Sequence, residues 1–222
     1  MKIKFVDLSR QYLTIKKEID SSIQSVVQNS MFILGKEVEN FEESFAKLIG
    51  TKYCISVGNG TDSLFIIMKS LGIGVGDEVI TVCNSWISSS ETISLTGAKP
   101  IFVDIDRESC SMNISKLEKL INEKTKAIIP VHLYGNPCDM DKVCEIASKY
   151  NLHIIEDCAQ SHLAEHNKKL IGSFGIASSF SFFPGKNLGA YGDAGAIVTD
   201  NTEIANYCRM FARHGALKKH NH

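Results

Sequence analysis

The sequence predicts an α/β fold, a mostly parallel sheet held between two layers of helices. Three observations carry that expectation. Short apolar runs of strand length alternate with stretches of helical period from residue 53 to residue 156. Runs of continuous Val, Ile and Leu suit strands buried on both faces, as in a parallel sheet. The composition is that of an ordinary globular chain: 222 residues, 44% hydrophobic and 8% aromatic, with 24 Lys and Arg against 25 Asp and Glu for a net charge of −1. This length supports one large domain, or one domain and part of another. Disorder and collagen-like structure are excluded. The lysines are spread along the chain, so no basic footprint for nucleic acid is present.

The elements follow in order. Residues 11–29 and 36–50 carry apolar residues at helical spacing, the second as Val38, Phe41, Phe45, Leu48 and Ile49, stopped by Gly50. Both predict amphipathic helices. The alternation then runs through strand YCISV (53–57), helix 61–71, strand EVITV (78–82), helix 87–96 and strand PIFV (100–103). A helix over 115–122 takes Ser115 as its N-cap, strand AIIPV covers 127–131, and Asp139 caps a helix over 139–150. Strand LHIIE follows at 152–156. After residue 157 the rhythm changes to two strand-like runs, IASSFSFF (176–183) and GAIVT (195–199), around the glycine-rich PGKNLGAYGDA. A final helix spans 201–212 before RHGALKKHNH, an ending that reads as interrupted.

The opening MKIKFVDLSRQY turns polar with no apolar run behind it, which predicts neither signal peptide nor membrane anchor, and no stretch reaches transmembrane length. Seven cysteines (54, 83, 110, 138, 144, 158 and 208) include no CxxC pair. Reduced thiols in a cytoplasm, acting as small core hydrophobes, are expected.

In open α/β sheets ligands bind beyond the carboxyl ends of the strands, so the residues after each strand are the candidates. GNGTD (58–62) follows the first strand. Gly60 would let the backbone approach a phosphate at a helix N-terminus, with Thr61 adding a hydroxyl. A plain Asn-Gly turn with Thr61 as N-cap is the alternative. A dinucleotide fingerprint would also read GNGTDS, but Ser63 replaces its third glycine, and Asp77 and Glu78 lie at the wrong end of the next strand. Asp157 ends LHIIE where an acid can reach the crevice, with Gln160 and His162 expected on the same rim; an exposed turn aspartate and a surface histidine are the plainer readings. Lys186 sits in PGKNLG near Ser181 and two phenylalanines. A lysine that forms an imine must be desolvated enough to lose its proton. A phosphate cradle, an acid for a ring nitrogen and an imine-forming lysine together suit pyridoxal phosphate.

The chain resembles the DegT/DnrJ/StrS family of nucleotide-sugar aminotransferases through FILGKEVENFEESFA (32–46), GNGTDSL (58–64), GDEVITV (76–82), PVHLYGNPCDMD (130–141), IIEDCAQSH (154–162) and SFFPGKNLGAYGDAGAIVT (181–199). The resemblance runs from Phe5 to the last residue. It implies the large domain of a type I pyridoxal-phosphate enzyme, with Lys186 bonded to the cofactor, Asp157 facing the ring nitrogen and Gln160 the ring hydroxyl. Gly60, Thr61 and Ser181 would hold the phosphate and Trp86 would lie over the ring, core packing being the alternative for Trp86. Some relatives have histidine at the lysine position and act as dehydratases; Lys186 favours transamination.

The implied activity moves an amino group, expected from glutamate, to a keto group of a nucleotide-linked sugar, in a cytoplasmic homodimer without nucleic acid or membrane. The family normally continues through a loop that reaches the partner's active site and then a small C-terminal domain. The expectation is therefore that residues 1–222 form the N-terminal segment and large domain without the small one. A non-catalytic fragment and, on GNGTDS, a nucleotide-dependent oxidoreductase are the competing readings.

Overall fold

The computed structural model describes residues 3–216. Seven strands form the central sheet: β1 (Tyr53–Val57), β2 (Glu78–Val82), β3 (Lys99–Val103), β4 (Thr125–Ile129), β5 (His153–Asp157), β8 (Ala177–Ser181) and β9 (Gly195–Thr199), in the order β1-β9-β8-β5-β4-β2-β3. β6 (Glu165–His166) and β7 (Lys169–Leu170) make a separate small hairpin, too short to show any alternation in the sequence. β2, β3, β4, β5 and β8 pair in parallel, and β9 runs antiparallel to both β8 and β1. The mostly parallel sheet of the sequence reading is therefore observed, with β9 as its one reversed strand.

The helices are α1 (Leu8–Gln28), α2 (Lys36–Ile49), α3 (Gly60–Ser70), α4 (Ser88–Thr96), α5 (Ile114–Leu117), α6 (Met140–Tyr150) and α7 (Thr202–Phe211). Side-chain alternation along β8 assigns their layers. Phe180 meets Phe45 of α2 at 5.0 Å between ring centroids, whereas the hydroxyl of its neighbour Ser179 donates to the Gly60 carbonyl of α3 at 3.1 Å. Successive strand residues face opposite ways, so α2 and α3 cover opposite faces. Buried residues from both layers, among them Ile67, Ile80, Ile128 and Phe180, form one continuous core. α1 is amphipathic as expected, yet none of its residues is buried.

Three elements depart from their expected bounds for local reasons. The helix expected at 115–122 is the single turn of α5 followed by a 3-10 turn, Glu118–Leu120. Ser115 is not its N-cap: the Asn113 carbonyl accepts the Lys116 and Leu117 amides, so the turn begins earlier, and the Ser115 hydroxyl donates to Asn113 Oδ1 at 2.7 Å. β4 lies two residues before 127–131 because Pro130 has no amide to continue the ladder. β8 is shorter than 176–183, since the chain leaves the sheet ahead of Pro184. Asp139 does cap α6, accepting the Lys142 amide at 3.3 Å. RHGALKKHNH falls largely outside the described residues.

All seven cysteines are free. Cys54, Cys138, Cys158 and Cys208 are core residues as expected, but Cys83 and Cys110 are exposed. Among the described residues no helix is long and apolar enough to cross a membrane.

Candidate active site

β1, β2, β5 and β8 contribute to the site at their carboxyl ends, as the fold rule requires, and the reversed β9 contributes Asp193 just ahead of its amino end. A cavity of about 480 Å³ opens there, lined by Gly60 and Thr61 after β1, Ser85, Trp86 and Ser88 after β2, Asp157 and Gln160 from β5, and Ser181 and Lys186 from β8. All seven residues singled out for a cofactor in the sequence reading thus face one space.

The β1–α3 turn is built for close approach. Asn59, not Thr61, caps α3, its side chain accepting the Asp62 amide at 2.8 Å while its carbonyl takes the Ser63 amide at 3.1 Å. That capping accounts for two of the first-turn amides and leaves those of Gly60 and Thr61 for a ligand. A Cβ on Gly60 would lie 2.8 Å from Ser181 Cβ, and one on Gly195 would lie 2.4 Å from the Asn59 backbone. Glycine at both positions lets β8 and β9 press this turn against Ser181. Thr61 Oγ1 and Ser88 Oγ lie 2.7 Å apart, adding hydroxyls to the same corner. Two amides, three hydroxyls and the positive end of an 11-residue helix suit an oxyanion.

Asp157, only 5% exposed, forms the floor and is no turn aspartate. Its Oδ2 accepts the Ser89 hydroxyl at 2.8 Å and its Oδ1 the Ala159 amide at 3.2 Å. Burial pushes its pKa up, against the pull of Ser89, the Ala159 amide, His132 and Lys186. Beside it Glu156 is fully buried on the other face of β5. It accepts amides from Gly172, Phe174 and Gly175 at 2.7–2.8 Å and the Ser178 hydroxyl at 3.1 Å, and lies 3.4 Å from His132 Nε2. Since His132 Nδ1 accepts the Cys138 amide at 3.1 Å, the ring's proton belongs on Nε2, toward Glu156.

Lys186 is half-buried on a tight loop. Its amide donates to the Phe183 carbonyl at 2.8 Å, and Gly189 comes so near Pro184 that a Cβ there would stand 2.3 Å from the proline carbonyl oxygen. Burial lowers the pKa of its amine, and the charge of Asp157 draws it part of the way back. Gln160 Oε1 accepts the Tyr134 amide at 2.8 Å, so its NH₂ is the end left for a ligand. Trp86 is 76% exposed at the cavity wall, which removes the core-packing reading.

His162 is not on this rim. Its ring is wedged between Phe180 and Phe182 at 5.6 and 5.5 Å, neither nitrogen has a hydrogen-bond partner among the described residues, and burial lowers its pKa. Sequence reading missed Ser85, Ser88, Ser89 and Asp193. The run SWISSSE was the available signal, since hydroxyls crowded at the start of a helix after a strand are where a ligand would meet them.

The arrangement defines a class of site: an anion cradle at one end, a desolvated amine over the cavity and a buried carboxylate beneath it. Residues 13–222 match the DegT/DnrJ/EryC1/StrS aminotransferase family, and the chain belongs to it. It is 46% identical over 220 residues to a UDP-2-acetamido-2-deoxy-3-oxo-D-glucuronate aminotransferase of Pseudomonas aeruginosa, a match spanning 99% of this chain and 61% of that protein. Among solved structures, Streptomyces venezuelae DesV in complex with a ketimine intermediate superposes at a TM-score of 0.96 with 40% identity, covering 100% of this chain and 60% of that one. The Bacillus subtilis protein NtdA with bound cofactor PMP does so at 0.89 with 34% identity, covering 95% and 48%. The chain therefore spans about 60% of the length of the curated relatives it matches.

Proposed function

We propose that these residues are the cofactor-binding part of a pyridoxal-phosphate-dependent aminotransferase that moves an amino group from an amino acid, glutamate, to a keto group of a nucleotide-linked sugar. The observation that carries the reading is the half-buried Lys186 amine sharing one cavity with the buried Asp157 carboxylate and the Gly60–Thr61–Ser181 cradle. The fit is good on the chain's own geometry. The cradle tolerates no Cβ at Gly60, its donors suit a phosphate, and burial lowers the pKa of the amine.

Bound there, pyridoxal phosphate supplies an aldehyde carbon for the amino group and a ring that takes up the electrons released when the substrate loses a proton. Gly60, Thr61 and Ser181 hold its phosphate. Asp157 would present an ionised carboxylate oxygen to the ring nitrogen, which would keep a proton on that atom. Gln160 would donate its NH₂ to the ring hydroxyl, and Trp86 at the cavity wall would limit water. Lys186 Nζ would hold the cofactor through its aldehyde carbon and, as a neutral amine, could carry the proton at the substrate carbon. The relatives' names support a nucleotide-sugar substrate, and seven free cysteines support a reducing compartment, the cytoplasm. In this reading the protein works as a homodimer, and residues 1–222 are its N-terminal segment and large domain.

The test is to mix the purified chain with excess pyridoxal phosphate, reduce with borohydride and map the modified peptide. A single pyridoxyl-lysine at Lys186, absent from Lys186→Ala, is expected. Labelling spread over surface lysines and unchanged in the variant would overturn the assignment.

A further inference from the structure

Asp157 has two carboxylate oxygens and a full set of neighbours that decide its charge. The charges of Lys186, on the loop after β8, and of His132, after β4, pull on it through space, while Glu156 and Cys158 flank it in sequence. The group that touches it most closely from the opposite layer is Ser89, 1% exposed, in the first turn of α4.

The Ser89–Asp157 contact has a definite direction. An ionised carboxylate only accepts, so the Ser89 hydroxyl spends its single proton on Asp157 Oδ2 at 2.8 Å. Ser85 Oγ lies 3.0 Å from Ser89 Oγ, and with the Ser89 proton committed, Ser85 must be the donor of that bond. Ser85 and Ser89 stand four residues apart across the entry to α4, with Trp86 between them, and Ser85 itself lines the cavity. The Ala159 amide holds the other oxygen, Oδ1.

We propose that Ser85 and Ser89 form a directed hydroxyl relay, Ser85 to Ser89 to Asp157, that fixes the Asp157 carboxylate in its ionised, accepting form, and that Ser89 is a positioning residue for that acid. The relay's part in the reaction rests on the reading that Asp157 faces the cofactor's ring nitrogen. Its effect on Asp157 does not. A hydrogen bond from a hydroxyl to a buried carboxylate favours the charged form, which matters here because burial opposes it. The relay also ties Asp157 to the segment bearing Trp86, so the acid beneath the cavity and the indole at its wall are held by the same helix start.

The experiment follows the Asp157 carboxyl carbon by ¹³C NMR across pH in the cofactor-free chain, the resonance being assigned by its loss in Asp157→Asn. Ser89→Ala should lower the ionisation constant of Asp157 about tenfold. Ser89→Thr, which keeps the hydroxyl, should restore it, and Ser85→Ala should shift it the same way by less. An unchanged Asp157 titration in Ser89→Ala with a native-like amide spectrum overturns the proposal. If Ser89→Ala does not fold, Ser85→Ala and Ser89→Thr decide: a wild-type titration in Ser85→Ala overturns the relay. Failure of borohydride labelling at Lys186 would sink the cofactor reading alone, since the Asp157 titration is measured without cofactor.

Discussion

Lys186 and Asp157 act on each other's protons. Burial drives the lysine toward its neutral form and the carboxyl toward its neutral form, and each charge pulls the other back. Removing one charge therefore exposes the burial effect on the other. In Asp157→Asn the Lys186 amine should lose its proton at lower pH, and the neutral fraction at pH 7 should rise about tenfold. The pH profile of borohydride-trappable adduct at Lys186 reads this directly, with its rise moved to lower pH. A profile identical to wild type would show that the two groups do not interact. On the proposed role of Asp157, the same variant in a protein of full family length should lose turnover far more than cofactor occupancy, because an amide would not hold a proton on the ring nitrogen.

At the scale of elements, β5 carries acids of opposite duty on its two faces. Asp157 looks into the cavity, and Glu156 looks the other way, clamping the 172–175 turn ahead of β8 and pairing with His132 after β4. Burial alone would raise the Glu156 pKa, but His132 and the amides of Gly172 and Gly175 hold it below its ordinary value of 4.5. A carboxyl with a lowered folded-state pKa stabilises fully above its unfolded value and loses that contribution as pH falls through the folded one. Glu156→Gln should thus unfold more easily at neutral pH, by about 3 kcal/mol, because three amides and His132 lose a charged acceptor. Its stability should also fall less steeply than wild type below about pH 4.5. Urea melts at pH 7 and at pH 3.5 test both, and equal losses at the two pH values would refute the charge argument.

Across the whole molecule the residues proposed to hold the cofactor line one cavity within the described residues, yet much of what surrounds it is exposed. Trp86, Ile87, Phe183 and Tyr191 stand largely in solvent, and α1, which meets the loop after Lys186 through Tyr12 and Tyr191 at 6.1 Å, buries none of its residues. A site open to water keeps a bound phosphate solvated and favours the protonated lysine. The 222-residue chain by itself is therefore expected to bind pyridoxal phosphate weakly and to show negligible conversion with glutamate, since catalysis of this kind depends on positioning both reactants while limiting water. A spectroscopic titration followed by the glutamate half-reaction checks this, and robust conversion would contradict it.

The element alternation, and with it the parallel sheet, was legible in the residues alone, because apolar strands and amphipathic helices are written in local periodicity. The candidates Gly60, Thr61, Trp86, Asp157, Gln160, Ser181 and Lys186 were legible there too, because the fold rule places ligands at strand ends and the family resemblance gave each residue a role. The tertiary structure decided what depends on contacts between distant segments. Ser89 became the partner of Asp157 across 68 positions, and Asn59 displaced Thr61 as the cap. His162 left the rim for a slot between Phe180 and Phe182. A hydroxyl, a cap and an imidazole carry no periodic signal; only the packing of one layer on another fixes which neighbour each one meets.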